Sequence, residues 1–337
     1  MNWSRIFQFE NEGTDPWRNL AVEEYLLREY SSTDPLFLIW RNEPVVVVGK
    51  NQNPYEEINL PFLNEHKIKI VRRLSGGGAV YHDPGNLNYT FIHSLERPGF
   101  DFTAFTAPIL KALKNMGISA SLSGRNDLMI DGRKISGSAQ VRDHQRILHH
   151  GTLLFQTDLD IMDQVLHVSA DKFQSKGISS VRSRVANIID YLPEMSPISD
   201  IFAFQNRLIQ EIGDQIPGPW IRKRFSDDQE KRIRELRDQK YSSWEWNFGK
   251  SPTFNLKVSR RFPWGKLTIG LNIHHGRIRE GAFFGDFFAL NDPNDLISRI
   301  LDLPLDRKAL ENALTEEDVQ NVFPELKIGD LIDLIFA

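Results

Sequence analysis

Leu36-Phe37-Leu38-Ile39-Trp40-Arg41-Asn42-Glu43-Pro44-Val45-Val46-Val47-Val48 contains two unbroken apolar runs parted by a polar tetrapeptide that ends in proline. Runs of four or five apolar residues, rich in valine and bounded by turn residues, are too short for a buried helix. They read as two strands in the interior of a sheet, joined by a turn. Upstream, Asp15-Pro16 has the form of an N-cap followed by a first-turn proline. Trp17, Ala21 and Tyr25, with Val22 and Leu26, recur at helical spacing, which predicts a helix from about Trp17 to Tyr30. Ile6-Phe7-Gln8-Phe9 alternates as a strand does.

Downstream, strands are expected at Ile68 to Arg72, Leu87 to Ile92, Leu128 to Ile130, Lys134 to Ala139 and Leu148 to Phe155, with Asp131-Gly132 as a hairpin signal. Helices are expected at Thr103 to Met116, Leu159 to Val165, Ser199 to Ile212 and Asp227 to Tyr241. The last is so charged that most of its surface should be solvated, and Pro217-Gly218-Pro219 marks an irregular stretch before it. After Trp244-Glu245-Trp246 the pattern restarts, with strands at Thr253 to Phe262, Lys266 to Ile273 and Arg277 to Phe284 and short helices to the end. The expectation is therefore α/β (α+β): residues 1–246 form a domain on a mixed or largely antiparallel sheet, and 247–337 form a small α+β domain. There are no internal repeats.

Composition narrows the function. The 337 residues carry a net charge of -4 and a charged fraction of 26%, which argues against the basic surface of a nucleic-acid binder. No apolar run suits a signal peptide or a membrane span, so a cytoplasmic protein is expected, with a monomer as the default. Cysteine is absent, which excludes disulfides, thiolate metal sites and a cysteine nucleophile.

Four segments carry chemistry. Arg72-Arg73-Leu74-Ser75-Gly76-Gly77-Gly78-Ala79-Val80-Tyr81-His82-Asp83 lies between apolar strands. Its glycines allow close backbone approach to an anion and its arginines supply charge, but a glycine-rich connection with two surface arginines fits equally well. It is neither a P-loop, because the Lys-Ser/Thr ending is missing, nor the spaced-glycine dinucleotide fingerprint. In Arg133-Lys134-Ile135-Ser136-Gly137-Ser138-Ala139, alternation would put Lys134, Ser136 and Ser138 on one strand face and Ile135 on the other. Lys134 is either a substrate-facing cation or a solvated hairpin residue. Asp127 is a candidate magnesium ligand or simply exposed. His149 and His150 are adjacent on a strand, so at most one faces a site. Lys176 to Asn187, basic and serine-rich, suits a loop closing over a nucleotide, or a solvated loop.

Taken in order, these segments resemble the lipoate-protein ligase family: Arg72-Arg73-x-Ser-Gly-Gly-Gly-Ala-Val-Tyr-His-Asp83, Ser123-Gly-Arg-Asn-Asp-Leu128, Arg133-Lys-Ile-Ser-Gly-Ser-Ala139, His149-His-Gly-Thr-Leu-Leu154 and Lys176-Gly-Ile-Ser-Ser-Val-Arg-Ser-Arg-Val-x-Asn187. The likeness runs from Asp15-Pro16-Trp17 and Asn19 to Glu24 through Ser243 to Gly249 and into the tail. It implies a catalytic domain of the biotin/lipoyl ligase type, related to class II aminoacyl-tRNA synthetases, with a small C-terminal accessory domain. It also implies two half-reactions, in which lipoate and MgATP give lipoyl-adenylate and pyrophosphate, and the lipoyl group then passes to a lysine of a lipoyl domain of a 2-oxoacid dehydrogenase complex or of the glycine-cleavage carrier protein. Octanoate is a second candidate acid, and no tightly bound prosthetic group is implied. Carried over position by position, the resemblance places Arg72, Ser75, Gly76, Gly77, Lys134 and His150 at lipoate. It places Arg73, Gly78, Ala79, Val80, Tyr81, Asp127, Lys134, Thr152 and Arg182 at ATP, with Lys134 as the catalytic residue. Two rivals stay open: a lipoyltransferase that uses preformed lipoyl-adenylate, and a non-catalytic lipoate-binding module. An acyltransferase using a cysteine acyl-enzyme is excluded by the composition.

Overall fold

The Asp15 carboxylate accepts the backbone N–H of Trp17 at 3.1 Å and Pro16 fills the first turn, so the first helix begins where capping chemistry predicts. The structure is a computed structural model and describes residues 5–94, 99–166, 182–249 and 254–336. In chain order the elements are β1 (Ile6–Phe9), α1 (Pro16–Arg28), β2 (Leu36–Trp40), β3 (Val45–Val48), α2 (Pro54–Glu57), α3 (Leu60–Glu65), β4 (Lys69–Arg72), β5 (Val80–His82), β6 (Asn86–Ser94), α4 (Phe102–Asn115), β7 (Ser121–Ser123), β8 (Asp127–Ile130), β9 (Arg133–Asp143), β10 (Arg146–Leu154) and α5 (Leu159–Val165). Then follow α6 (Ile201–Gly213), β11 (Trp220–Lys223), α7 (Asp227–Leu236), α8 (Trp244–Asn247), β12 (Leu256–Phe262), β13 (Gly265–His274), β14 (Arg277–Gly285), α9 (Asn294–Ile300), α10 (Arg307–Ala313), α11 (Glu316–Val322) and α12 (Ile328–Ile335).

The main sheet has the order β11-β1-β2-β6-β10-β9-β8-β7. It is mixed: β1 runs parallel to β11 and β2, and the rest is antiparallel. One face packs its core, including Tyr89, Phe91, Ile135 and Phe155, against α4 and α6. The other receives α1, which is buried almost all round because α7 and the π-helical turn Arg237–Tyr241 cover its back. Charged α7 keeps most of its surface in contact with solvent, as its composition suggests: within it only Ile233 is buried, while ion pairs Arg18–Glu230 (2.6 Å), Glu29–Arg232 (2.8 Å) and Asp15–Arg237 (2.6 Å) fasten it and the turn beyond it to α1 and its cap.

The two apolar runs are fully buried, as expected, but they enter different sheets. β2 sits in the main sheet, and β3 is the centre of a second sheet ordered β4-β3-β5. Their connection is shaped by side chains: Asn19 donates to Arg41 O and to Asn42 Oδ1, both at 2.8 Å. A third sheet, the antiparallel meander β12-β13-β14, packs with α9 to α12 around Leu267, Ile269, Phe287, Phe323 and Ile332. The chain divides into two compact units, one of residues 1–47, 55–72 and 80–247, the other of residues 48–54, 73–79 and 248–337. The expected loop from Lys176 to Val181 and the expected strand start at Thr253 lie outside the described residues.

Candidate active site

β9 carries an irregularity that sets the geometry of the site. Leu128 of β8 pairs with Ser136 and Met129 with Lys134, so Ile135 is the extra residue of a β-bulge. The bulge shifts the phase of the strand and corrects the alternation expected from sequence. Ile135 turns into the core, and Ser136 and Ser138 are buried, with Ser138 opposite Gly151 under the Tyr89 hydroxyl. Lys134 instead shares a face with Gly137: a Cβ at Gly137 would lie 2.7 Å from Lys134 Nζ and 2.8 Å from its Cε. Only glycine leaves that slot open.

On the same face Lys134 Nζ pairs with Asp127 Oδ1 at 2.8 Å, both side chains being about one-third exposed. Gly137 N–H donates to Thr152 Oγ1 at 3.2 Å. Alternation along β10 then places His150 two residues from Thr152 on this face. Lys134, Asp127, Thr152 and His150 are thus brought to one surface of the sheet, around a glycine. Backbone on both sides holds it, since Ala186 N–H donates to Lys134 O at 3.0 Å and Ser138 N–H donates to Asn126 O at 2.9 Å.

The two histidines separate as expected. His149 is in the core, stacked on Phe105 with 5.1 Å between ring centroids, and its Nδ1 lies 2.8 Å from Gln140 Nε2. Burial, helped by the neighbouring His150, pushes its pKa well below the usual imidazole range, so it stays neutral. His150 faces α1, where its Nδ1 lies 3.0 Å from both carboxylate oxygens of Glu23. Glu23 also accepts the Thr90 hydroxyl at 2.5 Å, and Thr90 Oγ1 accepts Trp40 Nε1–H at 2.9 Å. Glu23 is a residue that single-position reasoning missed; the signal was two adjacent carboxylates, Glu23-Glu24, among apolar helix positions.

In the other unit, the glycine loop is closed by its own arginine. Arg73 donates through Nη2 to Gly76 O (2.7 Å) and Gly78 O (2.8 Å), and through Nε to Ser75 Oγ (3.0 Å). Gly77 has a φ of +88° and its N–H donates to Phe287 O at 3.1 Å. A Cβ at Gly76 would meet Phe287 O at 2.3 Å, whereas at Gly78 nothing lies within 4 Å, so the uncrowded position of the loop is Gly78. Ala79 ends this stretch.

Val80 and Tyr81 lie on β5, paired with Val47 and Val46. Tyr81 is buried, and burial together with Asp83 and Asp158 raises its pKa, so the phenol stays protonated. Arg182, on a 3-10 turn, pairs with Asp160; three residues on, Val185 bridges the Lys134 backbone. Arg72, expected at lipoate, lies at the end of β4. It is 0% exposed, and its guanidinium donates to Trp246 O (2.9 Å) and Asn247 O (2.8 Å), so it is engaged with backbone carbonyls of α8.

A mixed sheet that presents a lysine–acid pair over a glycine slot, accompanied by a meander-and-helix unit, defines an α/β scaffold with a small α+β unit. The family described as lipoyl protein ligase A/B catalytic domain matches residues 15–213, and that described as bacterial lipoate protein ligase C-terminus matches residues 251–335. The chain belongs to the lipoate-protein ligase family. It is 39% identical over 324 residues to lipoate-protein ligase LplJ of Bacillus subtilis (strain 168), covering 96% of this chain and 97% of that protein. Among solved structures it is similar to P. falciparum LipL1 in complex with lipoate, with a TM-score of 0.76 and 25% identity over 98% of this chain and 97% of that one. It is also similar to lipoate-protein ligase A bound with ATP, with a TM-score of 0.61 and 28% identity over 73% of this chain and 99% of that one.

Proposed function

We propose that this chain activates lipoate with ATP and attaches the lipoyl group to a lysine of a carrier protein. The observation that carries the reading is the seating of Lys134 over Gly137, on the face that also bears Asp127, Thr152 and His150. In the first half-reaction a lipoate carboxylate oxygen bonds to the α-phosphorus, and the bond to the β-phosphate oxygen breaks as pyrophosphate takes the electron pair. Negative charge gathers on the α-phosphoryl oxygens, where a fixed ammonium group is most effective. In the second, the acceptor lysine amine bonds to the acyl carbon, AMP leaves, and the amine nitrogen loses a proton.

We assign Lys134 to the α-phosphoryl group and the lipoate carboxyl, with Arg73, Gly78, Ala79, Val80, Tyr81, Thr152 and Arg182 at the nucleotide and Ser75, Gly76, Gly77 and His150 at lipoate. Asp127 fits as the protein ligand of a magnesium ion that arrives with ATP, since such ions take one or two carboxylates alongside phosphates and waters. We infer lipoyl domains and the glycine-cleavage carrier as acceptors, octanoate as an alternative acid, and action as a cytoplasmic monomer. Among the described residues no helix is long and apolar enough to cross a membrane.

The test is pyrophosphate release on mixing the protein with lipoate and ATP, compared with Lys134→Ala. The variant should keep its circular dichroism and melting temperature and lose on the order of 100-fold or more of adenylate formation. Transfer from supplied lipoyl-adenylate should suffer less, because the activated ester already exists. Unchanged adenylate formation in folded Lys134→Ala would sink the assignment.

A further inference from the structure

The chain leaves the first unit after Arg72, and leaves it again after Asn247. These two exit residues are bonded to each other, and Arg72 is also bonded to Trp246, the neighbour of Asn247 in α8. Arg72 N–H donates to Asn247 Oδ1 at 2.8 Å, its guanidinium takes Trp246 O and Asn247 O, and Trp246 Nε1–H returns to Arg72 O at 2.8 Å. Asn247 Nδ2 is itself anchored, donating to Tyr241 O and Ser243 O at 2.8 Å each. The backbone N–H, the carbonyl and the guanidinium of Arg72 thus all engage one four-residue helix, although the two segments are 174 or 175 positions apart in sequence.

We propose that Arg72 is a positioning residue, which pins α8 to the last strand residue before the glycine loop and so sets the register in which Arg73 to Ala79 meets the nucleotide. The proposal rests on reading the chain as an adenylate-forming ligase. The peptide joining Arg72 to Arg73 is planar, so fixing its two ends fixes its orientation. Its carbonyl is held by Trp246 Nε1, and its N–H, on Arg73, donates to Val48 O at 3.0 Å. Beyond that peptide, the Arg73 guanidinium gathers the carbonyls of Gly76 and Gly78. A rotation at position 72 is therefore passed directly to the group that shapes the loop. Lysine is a poor substitute, because one compact ammonium cannot span the two carbonyls that the planar fork reaches together.

Trp246→Phe is the decisive variant, because it deletes one donor and keeps the ring; Arg72→Lys and the double variant complete the set. Kinetics of adenylate formation and amide hydrogen exchange over residues 73–79 are the readouts. Each single variant should raise KM for ATP on the order of tenfold, as expected for a small misplacement of a binding element. KM for lipoate should rise with it, because Ser75, Gly76 and Gly77 belong to the same loop, loop exchange should quicken, and exchange in β8 to β10 should not change. The double variant should be no worse than Arg72→Lys alone, because both substitutions break one unit. Wild-type exchange in the loop of Trp246→Phe overturns the proposal, and so does a rise in KM for lipoate alone in Arg72→Lys, which would make Arg72 a substrate contact. Lowered melting with both KM values unchanged reduces it to a structural residue and overturns the proposal too. If the wild type releases no pyrophosphate, the ligase reading fails separately, and loop exchange, which needs no substrate, still decides whether the pin exists.

Discussion

Gly77 combines a left-handed backbone with a crowded side-chain position: φ is +88°, and an added Cβ would lie 3.1 Å from both Arg73 Nη2 and Phe288 Cζ. A β-branched residue there opposes the backbone angle, at roughly 1–2 kcal/mol, and pushes on the arginine that closes the loop. Gly77→Val should therefore weaken both lipoate and ATP use by on the order of tenfold or more while the protein remains folded. Steady-state kinetics at varied ATP and at varied lipoate would check this, and near-normal activity in a folded variant would remove the loop from the substrate site. Lys134→Arg should also be a poor enzyme, because the slot over Gly137 fits a compact ammonium and a planar fork would meet the Gly137 backbone. The residue types of both positions were legible in the sequence. What they touch was not, since neither Phe288 nor Gly137 is distinguished by spacing from its neighbours.

The bulge in β9 is an element-scale device, and it makes its own prediction. Gly137→Ala restores a side chain where Lys134 Nζ now sits, 2.7 Å from the ideal Cβ, so the ammonium must move away from Asp127. Alanine at a partly exposed strand position costs little or slightly stabilises, because glycine loses more chain entropy on folding. Adenylate formation should fall on the order of tenfold with melting unchanged or raised, a split that a simple packing defect would not give. The bulge also marks how far strand patterns could be read. The strands at Leu128, Lys134 and Leu148 and the helices at Thr103, Leu159 and Ser199 were legible from apolar periodicity, because each buries one face. The phase of β9 was not, since one unpaired residue reverses every later side chain while leaving composition unchanged. β11 was missed because Trp220 to Lys223 follow Pro217-Gly218-Pro219 and lie at a sheet edge, partly exposed, with no apolar run. β5 and β7 are three residues each, too short for any period to show.

At the scale of the whole molecule, the first unit is closed by bonds between its two sequence ends. β1 pairs with β11, and α1 is fastened to α7 and the turn after it. The most buried of these fastenings is Glu24, 4% exposed, which accepts Lys240 Nζ at 2.7 Å and the Tyr241 hydroxyl at 2.7 Å, with Arg28 at 2.6 Å. Burial alone would raise the Glu24 pKa, but the hydrogen bonds and charges of Lys240, Tyr241 and Arg28 more than offset it and hold the carboxyl below its ordinary value. The sign follows from linkage: a carboxyl with a lower pKa folded than unfolded contributes stability above its unfolded value, near pH 4.5, and loses it as pH falls through the lower folded value. Glu24→Gln removes the charge but keeps the shape, leaving Lys240 and Arg28 beside a neutral amide. At pH 7 it should destabilise the first unit by about 2 kcal/mol, less than loss of a fully buried pair because Lys240 and Arg28 retain partial access to water. Below about pH 4.5 the gap between wild type and variant should narrow steadily, because the wild-type glutamate is then being neutralised as well. Denaturant unfolding of both proteins from pH 7 to pH 3 would measure it. A gap that stays constant across that range would mean that Glu24 acts through packing alone, and that the closure between α1 and the turn at Arg237–Tyr241 is not electrostatic.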